Sequence, residues 1–217
     1  MLEWTIEACL KCGSFDRVIV STDSREYASL AEGLGAEVPF LRPKAISADT
    51  STDLEFVVHA LQQMREEGGI PSLIAHMRPT TPFRDPELIA EAVQLFKDSS
   101  GVTALRSVHP MSESAYKTFE LDDSDLLRAV GSRSRQLDDA NEARQTFPRT
   151  YHANGYVDIL SVGTITSRGE LHGDRVMAFV TPPTTEVDTQ QDVDYLEFQL
   201  ARDPAIAERV FGSIRPK

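Results

Sequence analysis

Leu73-Ile-Ala-His-Met77-Arg-Pro-Thr-Thr-Pro-Phe-Arg84 is the most informative segment of the chain, because an apolar run leads there directly into a proline-bracketed loop. Residues 73–77 predict a strand, and the pattern after the loop predicts a helix that ends near residue 97. The next apolar run, residues 102–108, predicts a second strand. Continuous apolar runs, as opposed to alternating apolar and polar residues, are typical of a buried parallel sheet.

The same alternation of strands and helices extends toward the N-terminus. Residues 17–21 and 37–40 predict short strands. Ser24 is expected to cap a helix, and further helices are predicted at residues 5–12 and at about residues 52–66. This order predicts an α/β fold with helices on both faces of the sheet.

The pattern changes after residue 109. Two segments, residues 116–121 and 126–130, predict a hairpin across the acidic turn at residues 122–125. Residues 131–144 are polar and have no period, and a segment of that length is typical of a lid, a binding loop or an arm that reaches a partner subunit. The remaining predicted elements are strands at residues 155–160 and 176–180 and a helix at about residues 192–201.

The composition indicates a single domain over residues 1–217, because a chain of 217 residues buries enough surface for one core. With 22 Lys and Arg against 34 Asp and Glu, the formal net charge is −12 at pH 7, which disfavours nucleic acid as a partner. No apolar run has membrane-spanning length and no secretory signal is found, so a cytoplasmic protein is expected. Cys9 and Cys12 form a lone Cys-x-x-Cys pair, for which a structural role is expected.

Loops that follow strands are the positions where an α/β sheet binds ligands. Asp23 follows the strand predicted at residues 17–21, and it either contributes a carboxylate to a site or caps the next helix together with Ser24. Arg42 is fixed by Pro43 at the end of the next predicted strand. There it suits a phosphate or a base, or else it forms a surface salt bridge.

The loop at residues 78–84 is the most unusual of these connections. Two prolines fix its backbone and aim the hydroxyls of Thr80 and Thr81, together with the start of a helix, toward a common point. This arrangement suits recognition of an anion. The alternative is a stiff connection between strand and helix, in which Arg84 pairs with a nearby carboxylate.

Two later segments carry the other candidate residues. Residues 143–156 concentrate arginine, amide and aromatic side chains, which suit a ligand with hydroxyl groups and a carboxylate, such as a sugar acid. Glu186 and Asp188 lie on one side of an extended segment, because residues i and i+2 share a face. Such paired carboxylates suit Mg²⁺ with phosphates as its other ligands, or they are simply an exposed acidic strand end.

Together these segments resemble the acylneuraminate cytidylyltransferase family, the enzymes that make CMP-activated sialic acids and related nonulosonic acids. The resemblance covers nearly the whole chain. Its most specific parts are Leu2-Glu-Trp-Thr-Ile-Glu-Ala8, Phe15-Asp-Arg-Val-Ile-Val-Ser-Thr-Asp-Ser24, Gly35-Ala-Glu-Val-Pro-Phe-Leu-Arg-Pro43, Arg78-Pro-Thr-Thr-Pro-Phe-Arg84, residues 144–155 and Glu186-Val-Asp188.

The resemblance implies a Rossmann-like nucleotidyltransferase sheet with a small dimerisation element at about residues 109–151. It also implies a reaction in which CTP and a nonulosonic acid give the CMP-sugar and pyrophosphate. The implied cofactor is Mg²⁺, and the implied assembly is a homodimer.

The resemblance also implies a role for individual residues. The nucleotide is expected to contact Asp23, Arg42 and Thr52. The metal is expected to be held by Glu186 and Asp188, which are also the expected catalytic residues. The sugar acid is expected to contact Arg78, Thr80, Arg144, Gln145, Asn154 and Tyr156, with Arg144 reaching the site of the partner subunit.

The sequence departs from the family pattern in two respects. Arg78 stands where many relatives carry glutamine and Asp158 where they carry tyrosine, which favours an unusual, legionaminic-like or pseudaminic-like acid. The first central strand and the Gly-, Ser- and Lys-rich phosphate loop with which the family opens, roughly 25 residues, have no counterpart. We therefore expect little cytidylyltransferase activity from the 217-residue chain alone.

Two other functions stay open at this point. A catalytically inactive relative would keep the sugar-facing residues and act as a binding or regulatory subunit. A nucleotidyltransferase that uses another base or sugar, such as a Kdo-activating enzyme, is the second.

Overall fold

A computed structural model describes residues 1–130 and 137–212 of the protein. Six strands lie within these ranges: β1 (Leu73–His76), β2 (Ala104–Pro110), β3 (Phe119–Leu121), β4 (Leu127–Ala129), β5 (Tyr151–Ser161) and β6 (Val176–Val180). The helices are α1 (Leu2–Lys11), α2 (Arg25–Gly33), α3 (Asp53–Glu66), α4 (Pro86–Asp98), α5 (Val162–Arg168), α6 (Gln190–Arg202) and α7 (Ala205–Phe211).

The central sheet is mixed, in the order β1-β5-β2-β6. Strand β5 runs antiparallel to both β1 and β2, and β6 runs parallel to β2. The predicted parallel arrangement therefore holds only for β2 and β6. Because β1, β2 and β6 share one direction, their carboxyl ends and the start of β5 lie at the same edge of the sheet.

Apolar side chains cover both faces of this sheet, as the sequence predicts. On one face, Leu105 and Ile159 belong to a buried cluster that α1, α4 and α7 complete. On the other face, Ala104 and Leu160 pack against residues of α3 and α5. Neighbouring residues of one strand enter opposite clusters because side chains alternate between the two faces.

Two predicted strands are wrong. Residues 17–21 and 37–40 form one isolated parallel bridge, between Ile19 and Glu37, and neither segment joins the four-stranded sheet within the described ranges. The Val20 N–H donates to the Glu37 carbonyl at 3.0 Å, and the Glu37 N–H donates to the Val18 carbonyl at 2.8 Å. The pairing stops there because Pro39 has no N–H to continue it.

The hairpin predicted after residue 109 is confirmed. Strands β3 and β4 pair antiparallel, with Phe119 opposite Ala129 and Leu121 opposite Leu127, and they form a separate two-stranded sheet. Asp125 adopts a positive φ of 58° in the connecting turn. Of the polar stretch predicted at residues 131–144, residues 131–136 lie outside the described ranges, and Leu137–Asn141 is a short 3₁₀ helix.

Elements α5 and α7 escaped sequence analysis. Each has seven residues, too few to show a helical period clearly. The ring of Phe211 at the end of α7 packs edge-on against the indole of Trp4, 4.6 Å between centroids. No helix in the described part of the chain is long and apolar enough to cross a membrane.

Cys9 and Cys12 are free thiols at the end of α1. The Cys9 thiol is buried against Met77, with 3.4 Å between the two sulfur atoms, and burial raises its pKa to about 12. A thiol of this kind is protonated and unreactive at neutral pH. The geometry agrees with the expected structural role.

Thr52 begins α3 through a capping box. Its hydroxyl accepts from the Glu55 N–H, and the Glu55 carboxylate accepts from the Thr52 N–H at 2.6 Å. We expect Thr52→Ala to lower the melting temperature by about 2–4 °C, because it leaves an N–H at the start of the helix without an acceptor. Thr52→Ser keeps the hydroxyl and should melt within about 1 °C of the wild type. Equal melting of all three proteins would contradict the assignment.

Candidate active site

A bulge in β5 shapes the candidate site. The β2–β5 register runs from Arg106 opposite Asp158 to Val108 opposite Ala153, so residues 154–157 of β5 face a single residue of β2. Gly155 sits in this bulge with a φ of +63°, and a Cβ there would lie 3.1 Å from the Thr81 Oγ1. Both the backbone conformation and the close approach require glycine.

The buried side chain of Arg84 supplies donors to this irregular backbone. Only 1% exposed, its guanidinium donates to the Tyr156 carbonyl at 2.6 Å and to the Gly155 carbonyl at 2.9 Å. It also donates to the Arg78 carbonyl at 2.7 Å and to the Thr5 hydroxyl at 3.0 Å. Burial lowers the pKa of Arg84 to about 10, which leaves the side chain charged at neutral pH.

The alternative that pairs Arg84 with a carboxylate is wrong. Among the ion pairs of residues 1–130 and 137–212, none includes Arg84. Its partners are carbonyls because the bulge removes Gly155 and Tyr156 from the regular strand pairing. Buried carbonyls without a donor destabilise a fold, and one guanidinium satisfies several of them here.

Asn154 joins three segments at the carboxyl edge of the sheet. Its side-chain N–H donates to the Thr181 hydroxyl at 2.7 Å, directly after β6. Its backbone carbonyl accepts from the Thr81 hydroxyl at 3.3 Å and from the Thr184 hydroxyl at 3.4 Å. Sequence analysis missed Thr181 and Thr184, although their place just after a predicted strand is the signal that would have found them.

The acidic segment Glu186-Val-Asp188 docks on the loop that follows β1. The Thr80 hydroxyl donates to the Glu186 carboxylate at 3.3 Å, and the Val187 N–H donates to the Thr80 carbonyl at 2.8 Å. Val187 is buried, while Glu186 and Asp188 are exposed. The two carboxylates therefore share the solvent side of the segment, as the sequence predicts.

The carboxylates of Glu186 and Asp188 are of the chemical type that binds Mg²⁺. Oxygen ligands are what Mg²⁺ prefers, and it usually takes one or two carboxylates and fills its other positions with water and substrate phosphates. The described residues contain no cluster of three or more His, Cys, Asp or Glu that would form a complete metal site. A metal held by Glu186 and Asp188 would thus keep positions open for a phosphate ligand.

Arg42 has hydrogen-bonding capacity that the described residues leave unused. The group sits 4.9 Å from the centre of the Phe56 ring, and it donates to the Ser21 carbonyl at 2.5 Å. The Arg42 Nε and the Ser21 Oγ are both buried without a hydrogen-bond partner among the described residues. Within that part of the chain Arg42 forms no ion pair, so the surface salt-bridge alternative is wrong.

Asp23 and Thr52 have no ligand-facing feature comparable with Arg42. Asp23 is exposed, and Ser24 is the cap of α2, with its hydroxyl accepting from the Tyr27 N–H at 3.3 Å. The Thr52 hydroxyl is occupied by its capping box. Their predicted contact with a nucleotide stays a prediction.

The predicted sugar-side residues divide into groups. Arg78 pairs with Asp53 at the start of α3 and lies near Gly155, with its Nη1 3.9 Å from the position of a Cβ there.

Tyr156 is buried beside α4, and its hydroxyl accepts from the Asp85 N–H. Burial raises the Tyr156 pKa to about 12. The hydroxyl is bonded inside the fold, where it ties the bulge to the start of α4, and the predicted contact of Tyr156 with the sugar acid stays a prediction.

Arg144 and Gln145 are not brought to the Asn154 bulge. Both are exposed in the short 3₁₀ helix Arg144–Thr146. Arg144 donates to the Met111 carbonyl at 3.0 Å, near the end of β2. Their predicted contact with a sugar acid, including one across a subunit boundary, stays a prediction.

Replacing Arg84 tests whether the bulge depends on its guanidinium. We expect Arg84→Met to reduce the free energy of unfolding by at least about 3 kcal/mol, because it leaves several buried carbonyls without donors. Arg209 provides the matched control: it is 46% exposed and lies 3.6 Å from Asp85. Arg209→Met should change stability by less than about 0.5 kcal/mol. The free energy of unfolding of both variants is measured by urea unfolding. A similar decrease in both variants would contradict the role assigned to Arg84.

Comparison with known proteins places this geometry in a family. Residues 1–193 match the family model described as Cytidylyltransferase. The chain is 30% identical over 201 residues to N-acylneuraminate cytidylyltransferase of Escherichia coli O18:K1:H7, covering 93% of this chain and 45% of that protein. It is 33% identical over 112 residues to CMP-N,N'-diacetyllegionaminic acid synthase of Legionella pneumophila, covering 52% of this chain and 47% of that protein. The chain thus spans about half the length of these curated relatives.

A solved structure shares the fold. CMP:2-keto-3-deoxy-manno-octonic acid synthetase complexed with CTP superposes with a TM-score of 0.65 over 93% of this chain and 88% of that chain, at 11% identity. The likeness confirms the predicted nucleotidyltransferase architecture. With the family model matched from residue 1 to residue 193, the chain belongs to the cytidylyltransferase family.

Proposed function

We propose that the protein transfers CMP from CTP to a nonulosonic acid, giving the CMP-sugar and pyrophosphate. The observation that carries this proposal is the meeting of three segments at one edge of the sheet. The loop after β1, the β5 bulge and the segment after β6 are joined there by hydrogen bonds of Thr80, Thr81 and Asn154. The family membership and the names of the relatives support the same reaction.

The nucleotide is proposed to lie between Arg42 and the acidic segment. The buried Arg42 Nε and Ser21 Oγ have no partner among residues 1–130 and 137–212, which suits a base or a phosphate as their partner, and Glu186 and Asp188 would hold Mg²⁺. When Mg²⁺ is bound, it supplies positive charge that stabilises the charge developing on the phosphates. The hydroxyl of the sugar acid attacks the α-phosphorus, a P–O bond forms, and the bond to the leaving pyrophosphate breaks. Positioning by the fixed loops then carries most of the remaining catalysis.

An unusual nonulosonic acid is proposed as the second substrate. Arg78 adds a cation beside the bulge, where a carboxylated substrate would lie. Relatives named for N,N'-diacetyllegionaminic acid and for pseudaminic acid support this class. A cytoplasmic location is proposed as well, because the free thiols of Cys9 and Cys12 are typical of a reducing compartment.

Substituting the acidic segment tests the proposed metal site. We expect Glu186→Gln and Asp188→Asn each to weaken the apparent Mg²⁺ affinity at least about tenfold, because each removes a charged oxygen ligand. The measurements are pyrophosphate release and CTP binding as functions of Mg²⁺, with a panel of nonulosonic acids. Glu91→Gln, at an exposed acid of α4, is the control and should match the wild type.

The outcomes of this experiment separate the alternatives. A wild-type protein that neither binds CTP nor releases pyrophosphate with any acid of the panel would overturn the proposed function. Binding of CTP and of a nonulosonic acid with no detectable turnover, even at high enzyme concentration, would favour a binding or regulatory subunit over a weakly active enzyme. Unchanged Mg²⁺ dependence in both acidic-segment variants would remove Glu186 and Asp188 from the metal site.

A homodimer is proposed to form through the β3–β4 hairpin. Leu121 is 65% exposed, Leu126 64%, Leu127 50% and Val130 57%, so a short hairpin exposes several large apolar side chains to solvent. Exposed apolar patches of this kind mark protein interfaces. A second copy of the chain is the proposed occupant, because a two-fold interface brings the same apolar patch from each subunit together.

A charge placed in the hairpin tests this interface. We expect Leu121→Glu to convert the dimer to a monomer in size-exclusion chromatography with light scattering, because a carboxylate cannot be buried there unpaired. Ser124→Glu adds the same charge at the exposed turn and should leave the dimer intact. A wild-type monomer at micromolar concentration, or equal effects of both variants, would contradict the proposed interface.

A further inference from the structure

A buried carboxylate lies on the α3-facing side of the sheet. Asp158 of β5 is 2% exposed, and its cross-strand neighbours are His76 of β1 and Arg106 of β2. One carboxylate oxygen, Oδ2, lies 3.3 Å from the His172 Nε2 and 3.7 Å from the Arg106 Nε. These four residues, Asp158, His76, Arg106 and His172, are called the Asp158 cluster below.

Two buried polar atoms of the cluster have no hydrogen-bond partner in the described part of the chain. They are the second carboxylate oxygen of Asp158, Oδ1, and the Nδ1 of His76. Nearly all buried polar side-chain atoms in native proteins have a partner. Arg106 and His172 hold the Asp158 carboxylate in place through Oδ2, whereas Oδ1 has no donor among the described residues. This arrangement indicates that a ligand supplies the donor.

The Asp158 cluster is continuous with the proposed active site. His76 is the last residue of β1 and lies two residues before Arg78 in the loop that follows. The Phe56 ring of α3 lies 5.3 Å from the His76 ring, and Asp53, also of α3, pairs with Arg78.

The electrostatics of His76 connect the same groups. Burial is the largest cause that lowers the pKa of His76, and the charges of Asp53, Arg78, Asp158 and His172 act on it as well. The cluster and the Arg78 end of the site therefore lie within electrostatic range of one imidazole. The Asp158 carboxylate is connected to the Arg78 end of the site through His76, which is the cross-strand neighbour of Asp158 and lies two residues before Arg78.

We propose that the Asp158 cluster is a subsite for an N–H-bearing substituent of the sugar acid, with the Asp158 Oδ1 as the acceptor. This inference rests on the proposed function. An ionised carboxylate only accepts hydrogen bonds, so the vacant oxygen is complementary to an amide or amine N–H and repels a carboxylate. The carboxylate of the substrate belongs on the side of Arg78, and its acylamino group on the side of Asp158.

The substitution Asp158→Asn tests this orientation without changing the shape of the side chain. Arg106 only donates hydrogen bonds, so the oxygen of the new amide stays on the Arg106 side and its NH₂ group faces the ligand. An amide N–H of the ligand cannot accept from that NH₂ group. A ligand hydroxyl in the same place can rotate and accept from it.

Isothermal titration of the full chain in the presence of CTP gives the readout, with two probes. They are N-acetylneuraminic acid and its analogue in which a hydroxyl replaces the acetamido group. We expect Asp158→Asn to weaken binding of the acetamido acid at least about tenfold and binding of the hydroxyl analogue less than about threefold. The affinity for CTP and the melting temperature should match the wild type.

His172→Gln is the control for a merely structural role of Asp158. If Asp158 only holds His172 and its loop, this variant will reproduce the loss seen with Asp158→Asn, and the inference is overturned. If Asp158 contacts the ligand, His172→Gln keeps the preference for the acetamido acid. If Asp158→Asn does not fold, the NMR resonances of the histidine side chains in the wild type test the inference. Those of His76 and His172 shift on adding the acetamido acid if the inference holds and stay unchanged if it does not.

The remaining outcomes separate this inference from the proposed function. A wild type that binds neither of these two acids nor any other nonulosonic acid of the panel overturns the proposed function, and the subsite falls with it. A wild type that binds both acids, with equal losses or no losses in Asp158→Asn, overturns the subsite alone.

Discussion

The buried guanidinium of Arg84 is the contact on which the rest of the site depends. The β5 bulge places Asn154 toward the segment after β6 and Tyr156 toward α4, but it does so by withdrawing backbone carbonyls from the sheet. Arg84 supplies donors to two of these carbonyls and to the carbonyl of Arg78. One side chain thus fixes the bulge and the loop after β1 relative to each other, which no regular strand pairing would do.

This contact also has an electrostatic consequence. The protein carries a formal net charge of −12, which on its own disfavours anionic substrates. Arg84 places positive charge at the edge of the sheet where the loops meet, Arg78 there is paired with Asp53, and Arg42 lies on another such loop. Because Arg84 is bound to carbonyls and not to a carboxylate, its charge is not cancelled locally. Local arrangement of cations, more than overall charge, decides which ligands the edge of the sheet attracts.

Much of the fold could be predicted from local patterns, and the failures have physical causes. Strands β1, β2 and β6 and helices α2 to α4 follow from apolar runs and caps such as Ser24. The direction of β5 could not be predicted, because an apolar run records burial and carries no information about the direction of its neighbours. Residues 17–21 read as a strand for the same reason, since half-buried apolar residues occur in extended segments that pair through a single bridge.

The location of the candidate site could be predicted from the sequence better than the role of each residue in it. The family resemblance identified Asn154, Tyr156 and Thr52 as residues that contact a ligand, whereas the structure shows their side chains in hydrogen bonds inside the fold. The groups with unused capacity include the carboxylates of Glu186 and Asp188, which face solvent, and the buried Arg42 Nε and Asp158 Oδ1, which have no partner among the described residues. A residue's type therefore indicates that a site exists, whereas its unused hydrogen-bonding capacity, visible only in three dimensions, indicates whether it shapes the site or contacts a ligand.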